Sequence, residues 1–177
     1  TRSSPTPSPS NAMDRGQLVR YSRQIRLPQI DLAGQQRLVD ATALIIGLGG
    51  LGSPAALYLA AAGVGRLILA DPDRVELSNL QRQIIHGTAD VGRPKVESAR
   101  DRLLDLNPET AVEAIHGRLQ GAALEAAVAR ADVVVDASDN FTARYALNAA
   151  CVHRRRPLVS GAAIRLEGQV SVFSLHR

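Results

Sequence analysis

A glycine-rich segment ahead of an alanine-rich one has the spacing of a phosphate-binding loop. Its letters fit G-x-G-x-x-G, and the glycines of the pattern are Gly47, Gly49, Gly50 and Gly52. Glycine permits a tight turn, and it lets backbone N–H groups approach a phosphate at the positively polarised start of the following helix. Asp71 follows Gly52 by about 20 residues, where a carboxylate can accept hydrogen bonds from ribose hydroxyls. This combination predicts a nucleotide site.

The segment after Asp71 bears on which nucleotide is bound. NAD-binding proteins share the glycine fingerprint, and a glycine turn without any ligand would have the same letters. A dehydrogenase, however, has no need of a polar, basic turn directly after its ribose-binding carboxylate. Asn79, Arg82 and Gln83 recur within one helical turn and can share one face. Lys95 lies just inside the next helix start, where a cation is mildly unfavourable, so its presence suggests an anion nearby.

The elements that must position these residues alternate between strand and helix. Apolar runs predict strands at 43–46, 67–70, 112–115, 133–135, 157–160 and 169–174. Helix-start and helix-stop residues predict helices at 53–62, 94–106, 122–130 and 140–154. Such alternation predicts an α/β fold, doubly wound and Rossmann-like, with a mostly parallel sheet flanked by helices. Ligands of these sheets bind outside the carboxyl ends of the strands, where the glycine loop, Asp71 and Asp139 all fall.

Composition narrows the class of protein. Of the 177 residues, 45% are hydrophobic and 3% aromatic, which indicates a core of Ala, Val, Leu and Ile around a parallel sheet. The net charge of +4 suits an anionic ligand or an acidic partner, but nucleic acid is not expected, because the basic run 154–156 has no interleaved aromatics. Cys151 is the only cysteine, so cysteine pairs for a disulfide or a zinc site are excluded. A cytoplasmic protein with no membrane span is expected.

Seven segments carry a resemblance to a known family. They are residues 20–24, 47–52, 71–73, 78–83, 92–95, 139–144 and 160–163. Together they resemble the MoeB/ThiF (HesA/MoeB/ThiF) family, the bacterial relatives of ubiquitin-activating enzymes. The similarity runs from about residue 20 to the end of the chain, and through 159–173 it is nearest to the MoeB branch.

The resemblance implies roles for individual residues. Gly50 and its loop would cradle the phosphates of ATP, and Asp71 would bind the ribose. The segment Ser78, Asn79, Leu80, Gln81 and Arg82 would contact the nucleotide, with Asn79, Arg82 and Lys95 on the phosphates. Asp139 would hold Mg²⁺ with Asn140 beside it. Arg23 matches an arginine that the family inserts from the opposite subunit of a homodimer. The implied catalytic residues are Arg82, Lys95, Arg23 and Asp139.

The implied reaction is ATP-dependent adenylation of the C-terminal glycine of a small ubiquitin-like sulfur-carrier protein ending in Gly-Gly, with release of pyrophosphate. A MoaD-like carrier of molybdenum cofactor biosynthesis is the first expectation, and a ThiS-like carrier of thiamine biosynthesis the next. Two alternatives stay open. One is an NAD-dependent oxidoreductase, and the other is a catalytically inactive nucleotide-binding or dimerisation module.

Several candidate residues also have a purely structural explanation. Asp139 could cap the helix that begins at Asn140. Arg144 could form a salt bridge on its own helix, and Arg23 could be a solvated surface residue. Cys151 lies within an alanine-rich helix, which favours a small buried hydrophobe over a nucleophile.

Two parts of the chain are expected from the sequence. Residues 1–12 are rich in Ser, Thr and Pro and end in Ser-Asn-Ala, which predicts a disordered tail or a tag remnant. Residues 13–177 are expected to form an ATP-binding adenylation domain that is truncated at its C-terminus. The resemblance implies a continuation with two CxxC pairs that bind structural zinc, and those ligands are absent from this sequence.

Overall fold

A computed structural model describes residues 13–174 of the chain. Its sheet has six strands in the order β3-β2-β1-β4-β5-β6, and β6 alone runs antiparallel to its neighbour, β5. The strands are β1 Thr42–Ile46, β2 Arg66–Asp71, β3 Ala111–His116, β4 Val133–Asp136, β5 Leu158–Ile164 and β6 Glu167–Phe173. The helices are α1 Arg15–Arg20, α2 Ser22–Ile25, α3 Asp31–Asp40, α4 Gly52–Ala61, α5 Lys95–Leu106, α6 Gly121–Ala129 and α7 Phe141–Arg154.

The two central strands, β1 and β4, pack side chains into the core on both faces of the sheet. Ala43 and Ile45 of β1 belong to one core cluster, together with buried residues of α4 and α5. Leu44, which lies between them in sequence, belongs to a second cluster with α6 and α7. Successive side chains of a strand point to opposite faces, so the sheet is covered by a helix pair on each side.

The predicted fold class is confirmed. A mostly parallel six-stranded sheet is flanked by helices, and each predicted strand and helix lies within a few residues of its expected bounds. The predicted tail at 1–12 lies outside the described residues, as does the end of the chain at 175–177. Within residues 13–174, every helix is too short or too polar to cross a membrane.

The sequence did not predict the N-terminal helices α1 to α3. Their attachment is a tertiary contact: the amide of Asn107 donates to the hydroxyl of Tyr21, which is buried between α1 and α2, over 2.9 Å. The ring of Tyr21 packs onto Gly63, where an added Cβ would lie 2.6 Å from it. Helices α1 and α2 have only 6 and 4 residues, too few to be stable alone, so their positions depend on such long-range contacts.

Candidate functional site

An open cleft of about 1760 Å³ lies at the carboxyl ends of β1, β2 and β4. Parallel strands bring their carboxyl ends to one edge of the sheet, and the loops that follow them form the walls. The predicted site residues that line the cleft are Gly47, Gly49, Gly50, Asp71, Asn79, Arg82, Lys95, Asp139 and Asn140. The structure therefore brings together most of the set that the sequence singled out.

The glycine loop connects β1 to α4 and forms one wall of the cleft. Gly47 has a φ of +90°, and a Cβ there would lie 2.7 Å from the carbonyl oxygen of Ala137. A Cβ at Gly52 would lie 1.8 Å from the carbonyl oxygen of Gly47, so both positions require glycine to close the turn. Gly50 lies beneath Arg82, whose Cδ would be 3.4 Å from an added Cβ.

Asp71 ties the glycine loop to the end of β2. Its side chain is buried, and its Oδ2 accepts a hydrogen bond from the N–H of Leu48 over 2.6 Å. Its Oδ1 accepts from the N–H of Asp73 over 2.8 Å. A carboxylate has about four lone-pair positions, so the Asp71 side chain is fixed in direction and keeps capacity for further donors in the cleft.

Lys95 projects into the cleft from the first turn of α5. Its ammonium group is buried and pairs with Oδ2 of Asp73 over 2.9 Å, while the Asp73 side chain is 60% exposed. The backbone N–H of Lys95 also donates to the carbonyl of Asp73. An anionic side chain therefore lies beside Lys95, that of Asp73, a residue that was not in the predicted set.

The segment after Asp71 contains a short 3-10 helix, Leu77–Asn79, followed by a turn. Asn79, Arg82 and Gln83 all line the cleft, as their spacing predicted. Ser78, Leu80 and Gln81 are not among the lining residues. The carbonyl of Ser78 instead accepts a hydrogen bond from Nη1 of Arg82 over 3.2 Å and so helps to hold the Arg82 side chain.

The loop after β4 presents Asp139 to the cleft. The suggestion that Asp139 caps α7 is wrong, because Asn140 is the N-cap and its Oδ1 accepts from the N–H of Ala143 over 2.9 Å. Asp139 is exposed, and its Oδ1 is 3.5 Å from the amide nitrogen of Asn140. The carboxylate of Asp139 is therefore available to a ligand in the cleft.

Asp136, at the end of β4, holds this loop in place and was not predicted. Its buried carboxylate accepts hydrogen bonds from the hydroxyl of Ser138 over 2.6 Å and from the hydroxyl of Ser160 over 2.9 Å. Ser160 belongs to β5, so Asp136 joins the loop to the neighbouring strand. The run Asp136 to Asp139 offered two carboxylates in sequence, but only the tertiary structure separates the buried one from the exposed one.

Arg144 and Cys151 have structural positions on α7. The suggested salt bridge of Arg144 on its own helix is wrong. The Nη2 of Arg144 donates to the carbonyls of Ser138 and Gly161, over 2.6 and 2.9 Å, and so links the loop to β5.

Burial raises the pKa of the Cys151 thiol to about 11. The prediction of a small buried hydrophobe at Cys151 is confirmed.

Arg23 is the predicted catalytic residue that the fold keeps apart from the others. It lies on α2, is exposed, and is not among the residues that line the cleft. Within one copy of the chain, the site is assembled without it.

A model of the ThiF family matches residues 21–177. The chain belongs to the ThiF family. Its relatives in that family include the sulfur carrier protein ThiS adenylyltransferase of Escherichia coli (strain K12), which is 56% identical over 88% of this chain and 62% of that protein. The molybdopterin-synthase adenylyltransferase of the same organism is 53% identical over 89% of this chain and 64% of that protein. The chain thus spans less than two thirds of the length of these curated relatives.

Solved structures resemble this ThiF-family chain in fold. The crystal structure of PaaA, as its selenomethionine form, superposes with a TM-score of 0.81 at 30% identity and covers 97% of this chain and 55% of that one. The crystal structure of MccB from E. coli with ATP superposes with a TM-score of 0.70 at 29% identity, over 82% of this chain and 45% of that one.

Proposed function

We propose that this chain carries the adenylate-forming site of an ATP-dependent adenylyltransferase that activates the C-terminus of a small ubiquitin-like sulfur-carrier protein. The observation that supports it most directly is the cleft, which is lined both by the glycine loop and by the side chains of Arg82 and Lys95. Two relatives that are more than 50% identical over the matched residues are named as a sulfur carrier protein ThiS adenylyltransferase and a molybdopterin-synthase adenylyltransferase. The NAD-dependent alternative is not favoured by these relatives.

The chemistry requires positive charge more than it requires a base. A carboxylate oxygen of the carrier's last glycine attacks the α-phosphorus of ATP, the bond from that phosphorus to the bridging oxygen breaks, and pyrophosphate leaves. A carboxylate carries no proton to be removed, so catalysis depends on positioning and on cations directed at the developing negative charge. Arg82 offers a planar fork of donors for a phosphate, and Lys95 offers a compact charge.

In this proposal the nucleotide lies across the strand ends. The backbone N–H groups of Gly49 and Gly50, just before the start of α4, bind the phosphates. The N–H groups of Gly47 and Leu48 are already donated to the carbonyl of Ala70 and to the Asp71 carboxylate. Asp71 receives the ribose hydroxyls with the capacity left on its carboxylate. Asn79 contributes a further polar contact from the wall that carries Arg82.

The residues present fit a magnesium ion that is bound together with ATP. Mg²⁺ is commonly held by one or two carboxylates plus substrate phosphates. Asp139 supplies one exposed carboxylate in the cleft with Asn140 beside it, and among residues 13–174 there is no cluster of three or more acidic, His or Cys side chains for a metal. When bound, the ion would neutralise phosphate charge.

Arg23 and the homodimer belong to the same proposal. Arg23 is exposed on α2 and absent from the lining of its own cleft. We infer that it completes the cleft of a second copy of the chain, where its charge would add to those of Arg82 and Lys95.

Two carriers remain in the proposal, a MoaD-like protein first and a ThiS-like protein next. The decisive experiment is ATP–pyrophosphate exchange with Mg²⁺, in which each carrier is added in turn. A carrier that lacks its last glycine is the matched control. Exchange that depends on one intact carrier would support adenylation and identify the pathway. Tight ATP binding without exchange, in a chain extended to the length of its relatives, would favour the inactive nucleotide-binding module instead.

A further inference from the structure

Gln83 has a buried amide that the protein itself leaves incompletely paired. The residue is 3% exposed, and its Oε1 is buried without a hydrogen-bond partner among the described residues. Its backbone is paired on both sides, because its N–H donates to the carbonyl of Asn79 and its carbonyl accepts from the N–H of His86. The unmet capacity is therefore confined to the side chain.

A buried carbonyl oxygen without a donor is unfavourable for folding. A methionine or leucine at position 83 would occupy a similar volume without that penalty. Folding alone thus gives no reason for an amide at this position, and a reason must be sought in what the amide contacts outside the protein.

The other end of the amide points to such a contact. Gln83 lines the cleft, and its Nε2 lies 3.9 Å from the position that a Cβ would take on Gly49. Gly49 lies in the loop whose backbone faces the cleft, so the amino group of Gln83 is presented beside that loop. An amino group offers two N–H donors, which suit the oxygens of a phosphate.

We propose that Gln83 is a ligand-binding residue whose amino group donates to a phosphate oxygen of the bound nucleotide. It adds a neutral donor between the backbone N–H groups of the glycine loop and the charged side chain of Arg82. This inference rests on the proposed function, since it takes ATP as the ligand of the cleft.

Gln83→Met tests the inference, because it removes both ends of the amide and keeps the length of the side chain. We expect the affinity for ATP to fall roughly 10- to 100-fold, as for a lost hydrogen bond to a charged group. The melting temperature of the protein without ligand should stay the same or rise, because the unpaired oxygen is gone. Affinity for adenosine should not change, since adenosine has no phosphate. Calorimetric titration measures both affinities, and Gln36→Met is the control because Gln36 lies on α3 and is not among the residues that line the cleft.

Gln83→Glu provides a second variant of nearly the same shape. It replaces the donor with a negative charge, so ATP affinity should fall further than in Gln83→Met. If both variants bind ATP as the unmodified protein does, or if Gln83→Met lowers the melting temperature while affinity is kept, Gln83 is a folding residue and the inference is wrong. If the unmodified protein itself fails to bind ATP, the proposed function fails, and this inference fails with it.

Discussion

At the scale of single residues, Arg82 carries the sharpest prediction about catalysis. Its guanidinium lies over Gly50 and is held by the carbonyl of Ser78 at the wall of the cleft. We expect Arg82→Ala to slow carrier-dependent pyrophosphate exchange at least about 100-fold, because a preorganised donor to the developing charge is lost. Arg82→Lys should recover only part of the exchange rate, since an ammonium group cannot make the bidentate hydrogen bonds of a guanidinium with a phosphate.

The control for Arg82 is an arginine of similar exposure away from the cleft. Arg102 on α5 pairs with Asp105 on the surface and is not among the cleft residues. Arg102→Ala should leave the exchange rate within about twofold, because exposed ion pairs contribute little. A near-normal rate of pyrophosphate exchange in Arg82→Ala would mean that Arg82 takes no part in catalysis.

The pair of Lys95 and Asp73 predicts an asymmetry in stability. Lys95 is buried whereas Asp73 is largely exposed. The charge that stays unpaired is therefore solvated when Lys95 is replaced and buried when Asp73 is replaced. Lys95→Met leaves a carboxylate that water can solvate, but Asp73→Asn leaves a buried ammonium group without its counterion. We expect Asp73→Asn to lower the free energy of unfolding more than Lys95→Met does. Urea denaturation of the two variants at pH 7 measures this difference, and the reverse order would contradict the observed burial.

Sequence reasoning at this scale predicted the position of a residue where a local motif sets it. Gly47 directly follows β1 and Asp71 ends β2, so both lie at the cleft, as their spacing predicted. Asp136 was missed because its partners include Ser160, 24 positions later in the chain. Asp73 was missed for the same reason, since its side chain pairs with Lys95 on another element.

At the scale of elements, two adjacent residues at the start of α7 have different roles: Asn140 caps the helix, and Asp139 is proposed to bind a ligand. Asn140 caps the helix through Ala143, and the neighbouring Asp139 does not. We expect Asn140→Ala to lower the free energy of unfolding by about 1 kcal/mol, the usual effect of losing a side-chain N-cap. Asp139→Ala should leave stability almost unchanged and should weaken the dependence of exchange on Mg²⁺.

Thermal unfolding of both variants, together with exchange rates over a series of Mg²⁺ concentrations, tests this assignment. If Asp139→Ala lowers the free energy of unfolding as much as Asn140→Ala does, Asp139 has a structural role. Equal Mg²⁺ dependence in Asp139→Ala and the unmodified protein would remove it from the metal site.

The elements themselves were predictable to different degrees. Strands β1, β2 and β4 pack side chains into the core on both faces of the sheet, so they appear in the sequence as short apolar runs between glycine or proline signals. The helices α1 and α2 are short and contain no fully buried residue, and α1 begins with a local capping box at Asp14 and Gln17. Their docking through Tyr21 onto Asn107 joins positions 86 apart, which a local pattern does not reveal.

At the scale of the whole molecule, the sheet order explains why distant segments form one cleft. Strands β2, β1 and β4 are neighbours, although β4 follows β1 by almost ninety positions in the chain. The loops after these three strands therefore meet at one edge, and they bring Asp71, the glycine loop and Asp139 together. The predicted alternation of strand and helix implied this edge, but the pairing of β1 with β4 is visible only in the structure.

The whole molecule also offers a single internal reporter of its own stability. Cys151 is the only cysteine of the chain, it is buried, and the raised pKa of about 11 keeps its thiol protonated below that pH. A thiol is far less reactive than a thiolate. We therefore expect Cys151 to react with an alkylating reagent at pH 8 only when the protein unfolds around it.

ATP should then protect Cys151 from a distance. A ligand at 100 times its dissociation constant stabilises the folded state by about 2.7 kcal/mol, so alkylation through global unfolding should slow by about 100-fold. Mass spectrometry of the alkylated fraction over time, with ATP, with NAD or without ligand, measures this effect. Protection by ATP and none by NAD is the expected result. Equal protection by NAD would favour the oxidoreductase. Rapid labelling at a rate that does not depend on ATP would mean that the reagent reaches Cys151 through local opening of α7, and that the thiol is more accessible than its burial indicates.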